Sequence, residues 1–480
     1  MSSIVRRALK MLSHRPDNPI VVVMGATGTG KSKLAVDLAT RFNGEIINGD
    51  AMQMYKGLPI ITNKIPHGER NGIQHHLLDF IGLEEQPWTV HRFVKESTKV
   101  VDEIRSRGKL PILVGGTHYY THALLFKDET LSADEEEGNA EDTEGRVIVD
   151  FAILSRPTEE ILAKLQEVDP QMAVRWHPRD RRKIQRSLEI WLKTGKKASE
   201  VYAEQQERKD AMGRNISSGV TSEDLESMID GGEDSALRYP TLLLWLEAED
   251  AVLKKRLDAR VDSMVESGLV DEAVALTALD KDLAERGVPV DKSKGIWVSI
   301  GYKEMEPYIQ EQQISGVNSP QTSRALAQAV EAVKGGTRRY AKRQNRYIRI
   351  RLANALQQAG EFSMMFLLDG TNLENWDTDV FEHAQRLVES FLDGGSLPEN
   401  KSLSELANKM LSAPDEQAAT NSRVAQKCET CDKILMTIDE WNRHVSSRGH
   451  KKVVAAQRKR DAASGQVSTG VPDISGSEPA

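Results

Sequence analysis

Apolar residues along this chain follow two rhythms. Ile20-Val-Val-Val-Met24, Leu110-Pro-Ile-Leu-Val114 and Thr241-Leu-Leu-Leu-Trp-Leu246 are short, nearly unbroken runs. They lack the alternation of a half-exposed sheet and predict buried parallel strands, with Glu45–Asn48 as a shorter one. Helical periodicity marks Lys33–Phe42, Thr158–Gln166, Arg181–Thr194, Lys254–Glu266 and Arg324–Ala355. Strands alternating with helices predict an α/β fold, a parallel sheet flanked by helices. The core is expected over 18–127 and 240–400, with 128–239 a helical insertion over the carboxyl edge of the sheet. Residues 213–236 read as a disordered loop and 401–426 as a linker. A small module follows at 427–460, then a Gly/Ser-rich disordered tail at 461–480. No run approaches the roughly 18–20 apolar residues of a membrane span.

Charge changes the picture only when it is localised. The chain has 480 residues and a net charge of -8. Residues 128–145 hold nine acids and no base, and without them the chain is near neutral. Bases cluster instead at Arg338–Arg351, seven with no acid and with Tyr340 and Tyr347 interleaved, and at Arg175–Arg186, six against one Asp. Local fields of this kind suit a nucleic-acid partner despite the acidic total, although a solvated helix face gives the same pattern. At the start, Arg6, Arg7, Lys10 and Arg15 surround an apolar side of Ile4, Val5, Leu9 and Leu12. Residues 1–17 therefore read as a mitochondrial presequence, with a frayed basic N-terminus as the alternative. Met11 offers a second start, so the expected addresses are mitochondrion and cytoplasm, with the nucleus a third.

The chemistry begins at Gly25-Ala26-Thr27-Gly28-Thr29-Gly30-Lys31-Ser32. This is GxxxxGK[ST] between a strand and a helix, the P-loop arrangement. Its backbone N–H groups and the helix N-terminus attract phosphate, Lys31 adds a point charge, and the Ser32 hydroxyl suits Mg²⁺. The expected architecture is thus that of a P-loop NTPase. An ATPase would place an acid after a neighbouring strand, yet Val114 is followed by Gly115-Gly116-Thr117. Asp50 closes the second strand, as an acid near an acceptor would. A kinase-like transferase fits better than a motor, and a small-molecule or nucleotide kinase stands as the alternative.

Further stretches resemble one family, the tRNA dimethylallyltransferases (isopentenyltransferases) in their eukaryotic form. They are Ile47-Asn-Gly-Asp50-Ala51-Met52-Gln53-Met-Tyr55-Lys-Gly57, Gln74-His-His-Leu-Leu-Asp79 and Leu113-Val-Gly-Gly-Thr117-His-Tyr-Tyr120. Asp180-Arg-Arg182-Lys183-Ile-Gln185-Arg186-Ser-Leu-Glu189, Ser267-Gly-Leu-Val-Asp-Glu272, Ile300-Gly301-Tyr302-Lys303 and Thr337-Arg-Arg-Tyr-Ala-Lys342-Arg343-Gln344 continue the pattern. The resemblance implies that the P-loop holds the diphosphate of dimethylallyl diphosphate. The acceptor is the exocyclic N6 of the adenosine 3′ of the tRNA anticodon. It further implies Asp50 as the base, Thr117 near the bridging oxygen, and Arg260, eight residues before Gly268, on the diphosphate. Ala51, Met52, Gln53, Arg182, Lys183, Gln185, Arg186, Gly301, Tyr302, Lys342, Arg343, Gln344, Arg346 and Arg349 would contact the anticodon stem-loop. Simpler roles compete: Asp50 capping its turn, Thr117 capping a helix from His118, Arg260 in a surface ion pair. His75 and His76 lack further metal-ligand spacing and read as packing or tRNA contacts. A monomer is expected.

Cys428-x2-Cys431-x12-His444-x5-His450 is a two-Cys two-His pattern containing both cysteines of the chain, which suits structural Zn²⁺ in a zinc finger. Thr437-Ile-Asp-Glu440 is a capping-box signature that starts a helix bearing His444. The five-residue His–His gap resembles fingers of RNA-binding proteins. Lys451, Lys452, Arg458, Lys459 and Arg460 extend the basic surface.

Overall fold

The computed structural model describes residues 15–127, 151–204, 236–412 and 423–464. Most of the presequence, the acidic segment, nearly all of the loop at 213–236, part of the linker and most of the tail lie outside the described residues. Contacts divide the chain into two compact units, Met1–Glu135 with Gly213–Ala413 and Glu136–Met212 with Pro414–Ala480.

The first unit is built on six strands: β1 (Ile20–Gly25), β2 (Gly44–Asn48), β3 (His75–His76), β4 (Leu110–Val114), β5 (Thr241–Glu247) and β6 (Met365–Asp369). Their order is β3-β2-β4-β1-β5-β6, and every pairing is parallel. The unbroken apolar runs have the cause expected of them, for helices cover both faces. Along β1, Ile20, Val22 and Met24 enter one core with Phe93, Leu113 and Trp245. Val21 and Val23 enter the other with Leu34, Leu38, Ile112 and Phe366. Because the strands run the same way, the loops after β1, β2, β4 and β5 all leave from one edge, where open α/β sheets bind ligands.

Four elements depart from expectation. β6 and the two-residue β3 were not foreseen: the Met365–Asp369 run lies in an otherwise helical stretch, and β3 is too short for a periodic signal. The helix expected from Arg324 starts at Pro320, where the Ser319 hydroxyl accepts from Thr322 N at 3.0 Å. It ends at Tyr347, continuing through a π turn, Ile348–Leu352, into Ala353–Gln358. The linker is a correction, because 401–412 includes the helix Glu405–Ser412, whose Ala407 and Leu411 pack into the sheet's core.

In the second unit, helices Thr158–Val168, Pro170–Arg175 and Arg181–Thr194 enclose Ile161, Leu165, Met172, Ile184 and Leu188. An antiparallel hairpin, β7 (Arg423–Cys428) and β8 (Lys433–Thr437), leads to helices Ile438–Ser446 and Arg448–Ser464. Among the described residues, no helix is long and apolar enough to cross a membrane.

Candidate active site

The cradle after β1 depends on missing side chains. Gly25, at φ +145°, lies so close to β5 that a Cβ would meet the Leu246 carbonyl oxygen at 2.1 Å. Gly30, at φ +95°, leads into the helix Lys31–Arg41, and a Cβ there would strike the Trp376 ring at 2.5 Å. The loop rests on Ala248, Leu253, Leu257 and Ala341. Lys31 Nζ donates to the Ala26 carbonyl at 2.7 Å, and Thr29 Oγ1 donates to the same oxygen at 2.9 Å. Burial pushes the Lys31 ammonium down to about 8; Asp50 opposes this, and Arg260 adds to it. A loop of this shape at a helix N-terminus binds anions.

Asp50 follows β2 and is half-buried beside this cradle. Asn48 fixes its backbone by accepting from Asp50 N at 3.1 Å and donating to Asp50 O at 3.0 Å. Its Oδ1 accepts from Met52 N at 3.0 Å, so the turn-capping role is real. It does not exhaust the carboxylate, since one oxygen approaches Gly116 closely enough that a Cβ there would lie 2.8 Å from Oδ2. Burial raises the Asp50 pKa, while the Met52 N–H and Lys31 hold it back. A carboxylate raised in this way is a stronger base than an ordinary aspartate.

Thr117 precedes the helix His118–Leu125 but makes no side-chain cap. Its Oγ1 accepts from Ala51 N at 3.0 Å instead, tying the turn after β4 to the turn after β2. Gly115 permits this approach, because a Cβ there would sit 2.3 Å from the Gly49 carbonyl carbon. Arg260 does not enter a surface ion pair among the described residues; its Nη1 donates to Thr27 Oγ1 at 2.9 Å. Burial lowers its pKa. Asp50, Thr117, Arg260 and the P-loop therefore converge.

Three residues expected on the tRNA surface lie inside. Gln344 is buried; its Oε1 accepts from Thr27 N at 2.8 Å and its Nε2 donates to Gly116 O at 2.9 Å. Gly301 and Tyr302 are also buried, at the start of the helix Tyr302–Ser315, with the Tyr302 ring against Trp297. In the first unit, Lys342, Arg343, Arg346 and Arg349 are exposed, whereas Ala51, Met52 and Gln53 are half-buried; Gln53 Nε2 donates to Asn63 O at 3.0 Å. In the second unit, Arg182 and Lys183 are exposed, whereas Gln185 and Arg186 are half-buried. Lys183 pairs with Asp180 at 2.7 Å and Arg186 with Glu189 at 3.3 Å.

Cys428, Cys431, His444 and His450 each offer one donor atom, all within 4.8 Å of one another. Both sulfurs approach His450 Nδ1, at 3.7 and 3.4 Å, and His444 Nε2 is buried without a partner among the described residues. Two thiols and two imidazoles so gathered can hold a metal ion. Half of the expected capping box forms: Thr437 Oγ1 accepts from Glu440 N at 3.1 Å, ahead of the helix bearing His444, whereas Glu440 Oε2 accepts from Met436 N at 2.8 Å and not from the Thr437 N–H.

Several known proteins are similar to this chain. The IPP transferase family model matches residues 53–351. The tRNA dimethylallyltransferase of Schizosaccharomyces pombe is 37% identical, over 94% of this chain and 97% of its own. The human tRNA dimethylallyltransferase is 33% identical, over 92% and 87%. A solved eukaryotic dimethylallyltransferase acting on tRNA has a TM-score of 0.68 and 30% identity, covering 94% of this chain and 100% of that one. The chain belongs to the tRNA dimethylallyltransferases.

Within this dimethylallyltransferase framework, sequence reasoning missed several groups. Glu247 closes β5 and is buried, and burial pushes it up to about 7. An acid ending an apolar strand is the available signal, and it stands after β5, the other neighbour of β1, and not after β4. His118, also buried, is pushed down to about 3 by burial and by Lys31, so it is neutral. His76 is engaged within the fold, its Nε2 lying 2.6 Å from Glu45 Oε2.

Proposed function

We infer that this chain transfers the dimethylallyl group of dimethylallyl diphosphate to N6 of the adenosine beside the tRNA anticodon, releasing diphosphate. One observation carries the reading. Asp50, a carboxylate made more basic by burial, stands beside Lys31 of the glycine cradle.

The adenine amine is a weak nucleophile because its lone pair is delocalised into the ring. As N6 attacks the allylic carbon, the carbon–oxygen bond to diphosphate breaks, and Asp50 takes the N6 proton. The leaving group gains negative charge, which Lys31, Arg260 and the loop N–H groups stabilise. Thr117, held against Ala51, lines the path between acceptor and leaving oxygen. The single hydroxyl of Ser32 fits Mg²⁺, which usually takes one or two protein ligands and completes its shell with phosphate oxygens and water. That ion would neutralise diphosphate charge.

The target base must leave its stack, at a cost of a few kcal/mol. Exposed Lys342, Arg343, Arg346 and Arg349, with Arg182 and Lys183, suit phosphate contacts that offset this. The Cys428–Cys431–His444–His450 set has the composition of a closed structural Zn²⁺ site, a stabiliser of the small module and no part of the chemistry.

The test is incubation with tRNA, Mg²⁺ and either labelled dimethylallyl diphosphate or γ-labelled ATP. Label is expected in RNA from the first alone. Transfer from ATP to a small acceptor would establish the kinase reading in its place.

A further inference from the structure

Glu247 is the one buried acid at the ligand edge, among the described residues, that the reaction above leaves unused. It ends β5, and β5 lies against β1 on the side away from β4. Its backbone is fixed, since Gly370 N donates to Glu247 O at 2.8 Å. Its side chain is only partly satisfied: Oε1 accepts from Ala248 N at 3.0 Å and the Asn345 side-chain amide also supports the ionised carboxylate, whereas Oε2 is buried with no partner at hydrogen-bond distance among the described residues. A buried carboxylate oxygen left bare is costly while the group is ionised.

The surrounding charges can be named element by element. The P-loop contributes Lys31, and the helix Asp250–Glu266 contributes Asp250. Arg256 of that helix turns away, donating to Gly370 O and Thr371 O at 2.7 and 2.5 Å. β6 contributes Asp369, the register partner, whose Oδ1 is engaged by Thr371 N at 3.0 Å. The long helix contributes only the neutral amide of Asn345, and β1 no charge. Lys31 therefore feels two acids, Asp50 and Glu247. A diphosphate entering the cradle places several negative charges beside this pair. An ionised Glu247 would repel them and compete for Lys31. A protonated one would do neither, and its bare oxygen would become a hydroxyl donor.

We propose that Glu247 is a positioning residue of the diphosphate site, taking up one proton from solvent when a diphosphate group binds and leaving Lys31 to the ligand. The inference rests on the reading of the glycine loop as a diphosphate cradle. No substrate bond changes in this step; one proton moves from solvent to a Glu247 oxygen. Burial, with Asp250 adding to it, raises the group to about 7 against the opposing pull of Ala248 N–H, Asn345 and Lys31. Near neutrality the empty site is thus part ionised, and binding and protonation are reciprocally linked.

The test is calorimetric titration of the full-length protein with inorganic pyrophosphate at fixed Mg²⁺, in two buffers of different ionisation enthalpy. Wild type, Glu247→Gln and Asp250→Asn are compared. At pH 8 wild type is expected to absorb close to one proton more than Glu247→Gln, and Asp250→Asn, which keeps the Glu247 carboxylate but lowers its pKa, also to absorb more than Glu247→Gln. Between pH 7 and pH 8 wild-type affinity should fall about fivefold relative to Glu247→Gln, the factor for a group titrating near 7. Equal proton uptake in wild type and Glu247→Gln, or weaker pyrophosphate binding by Glu247→Gln at every pH, would overturn the proposal while leaving the cradle intact. Failure of wild type to bind pyrophosphate at all would remove both. Should Glu247→Gln not fold, infrared difference spectra of Asp50→Asn on pyrophosphate binding decide instead. A gained protonated-carboxyl stretch supports the proposal and its absence refutes it.

Discussion

Glu45 and Asp50 flank one short strand, yet their surroundings act on them in opposite ways. Glu45 is at the amino end of β2, and its oxygens meet Arg107 at 2.7 Å, His76 at 2.6 Å and Lys109 at 3.0 Å. Burial alone would raise it, but the Arg107, His76 and Lys109 hydrogen bonds outweigh that and hold it at about 2. Asp50, past the carboxyl end, has backbone N–H groups and the Lys31 ammonium for company, and burial prevails. One edge of the sheet satisfies its charge internally and contributes to folding. The other leaves capacity unsatisfied, which is what a ligand site requires.

Asp50→Asn gives the largest expected effect. It keeps the shape of the turn but removes the base, so kcat should fall by about 10²–10⁴-fold with the melting temperature unchanged or higher. A variant that melts early and keeps its rate would reverse the roles given to the two acids. Glu45→Gln should do the opposite, costing about 2–3 kcal/mol of stability in a denaturant titration with transfer per folded molecule retained.

The two acids also separate by pH. The folded pKa of Glu45 is below its usual value, so its stabilisation is complete above about 4.5 and is lost as pH falls toward about 2. Asp50 must be ionised to act, and its pKa is raised. The transfer rate should therefore decline with falling pH while the fold is still intact, starting above the usual aspartate range. Rate and circular dichroism followed together check this; coincident loss would merge the two edges. Smaller effects should come from Thr117→Val, which frees Ala51 N for about 1 kcal/mol and lowers kcat more than donor affinity. Arg343→Ala should weaken tRNA binding and make its salt slope shallower by about 1, without altering pyrophosphate binding.

The P-loop could be read directly because its residues are contiguous and its flanking strand and helix announce themselves. The four metal donors were equally legible, being spaced along a hairpin and two helices. Asp50, Thr117 and Arg260 are far apart in the chain, and only resemblance to a family joined them. Gln344 was assigned to the tRNA surface by resemblance, together with the basic residues around it; helical phase turns Lys342, Arg343 and Arg346 outward and Gln344 inward. Glu247 escaped because the strand order, which seats β5 beside β1, is a property of the sheet and not of any local pattern.

Gln344 has a mechanical consequence. Its amide clasps the donor loop at Thr27 and the acceptor shelf at Gly116, while neighbouring turns of the same helix face outward with their guanidinium groups. A roll or tilt of that cylinder cannot move its outer surface and leave the inner clasp at rest. A polyanion docking outside would therefore share one rigid-body coordinate with the groups inside.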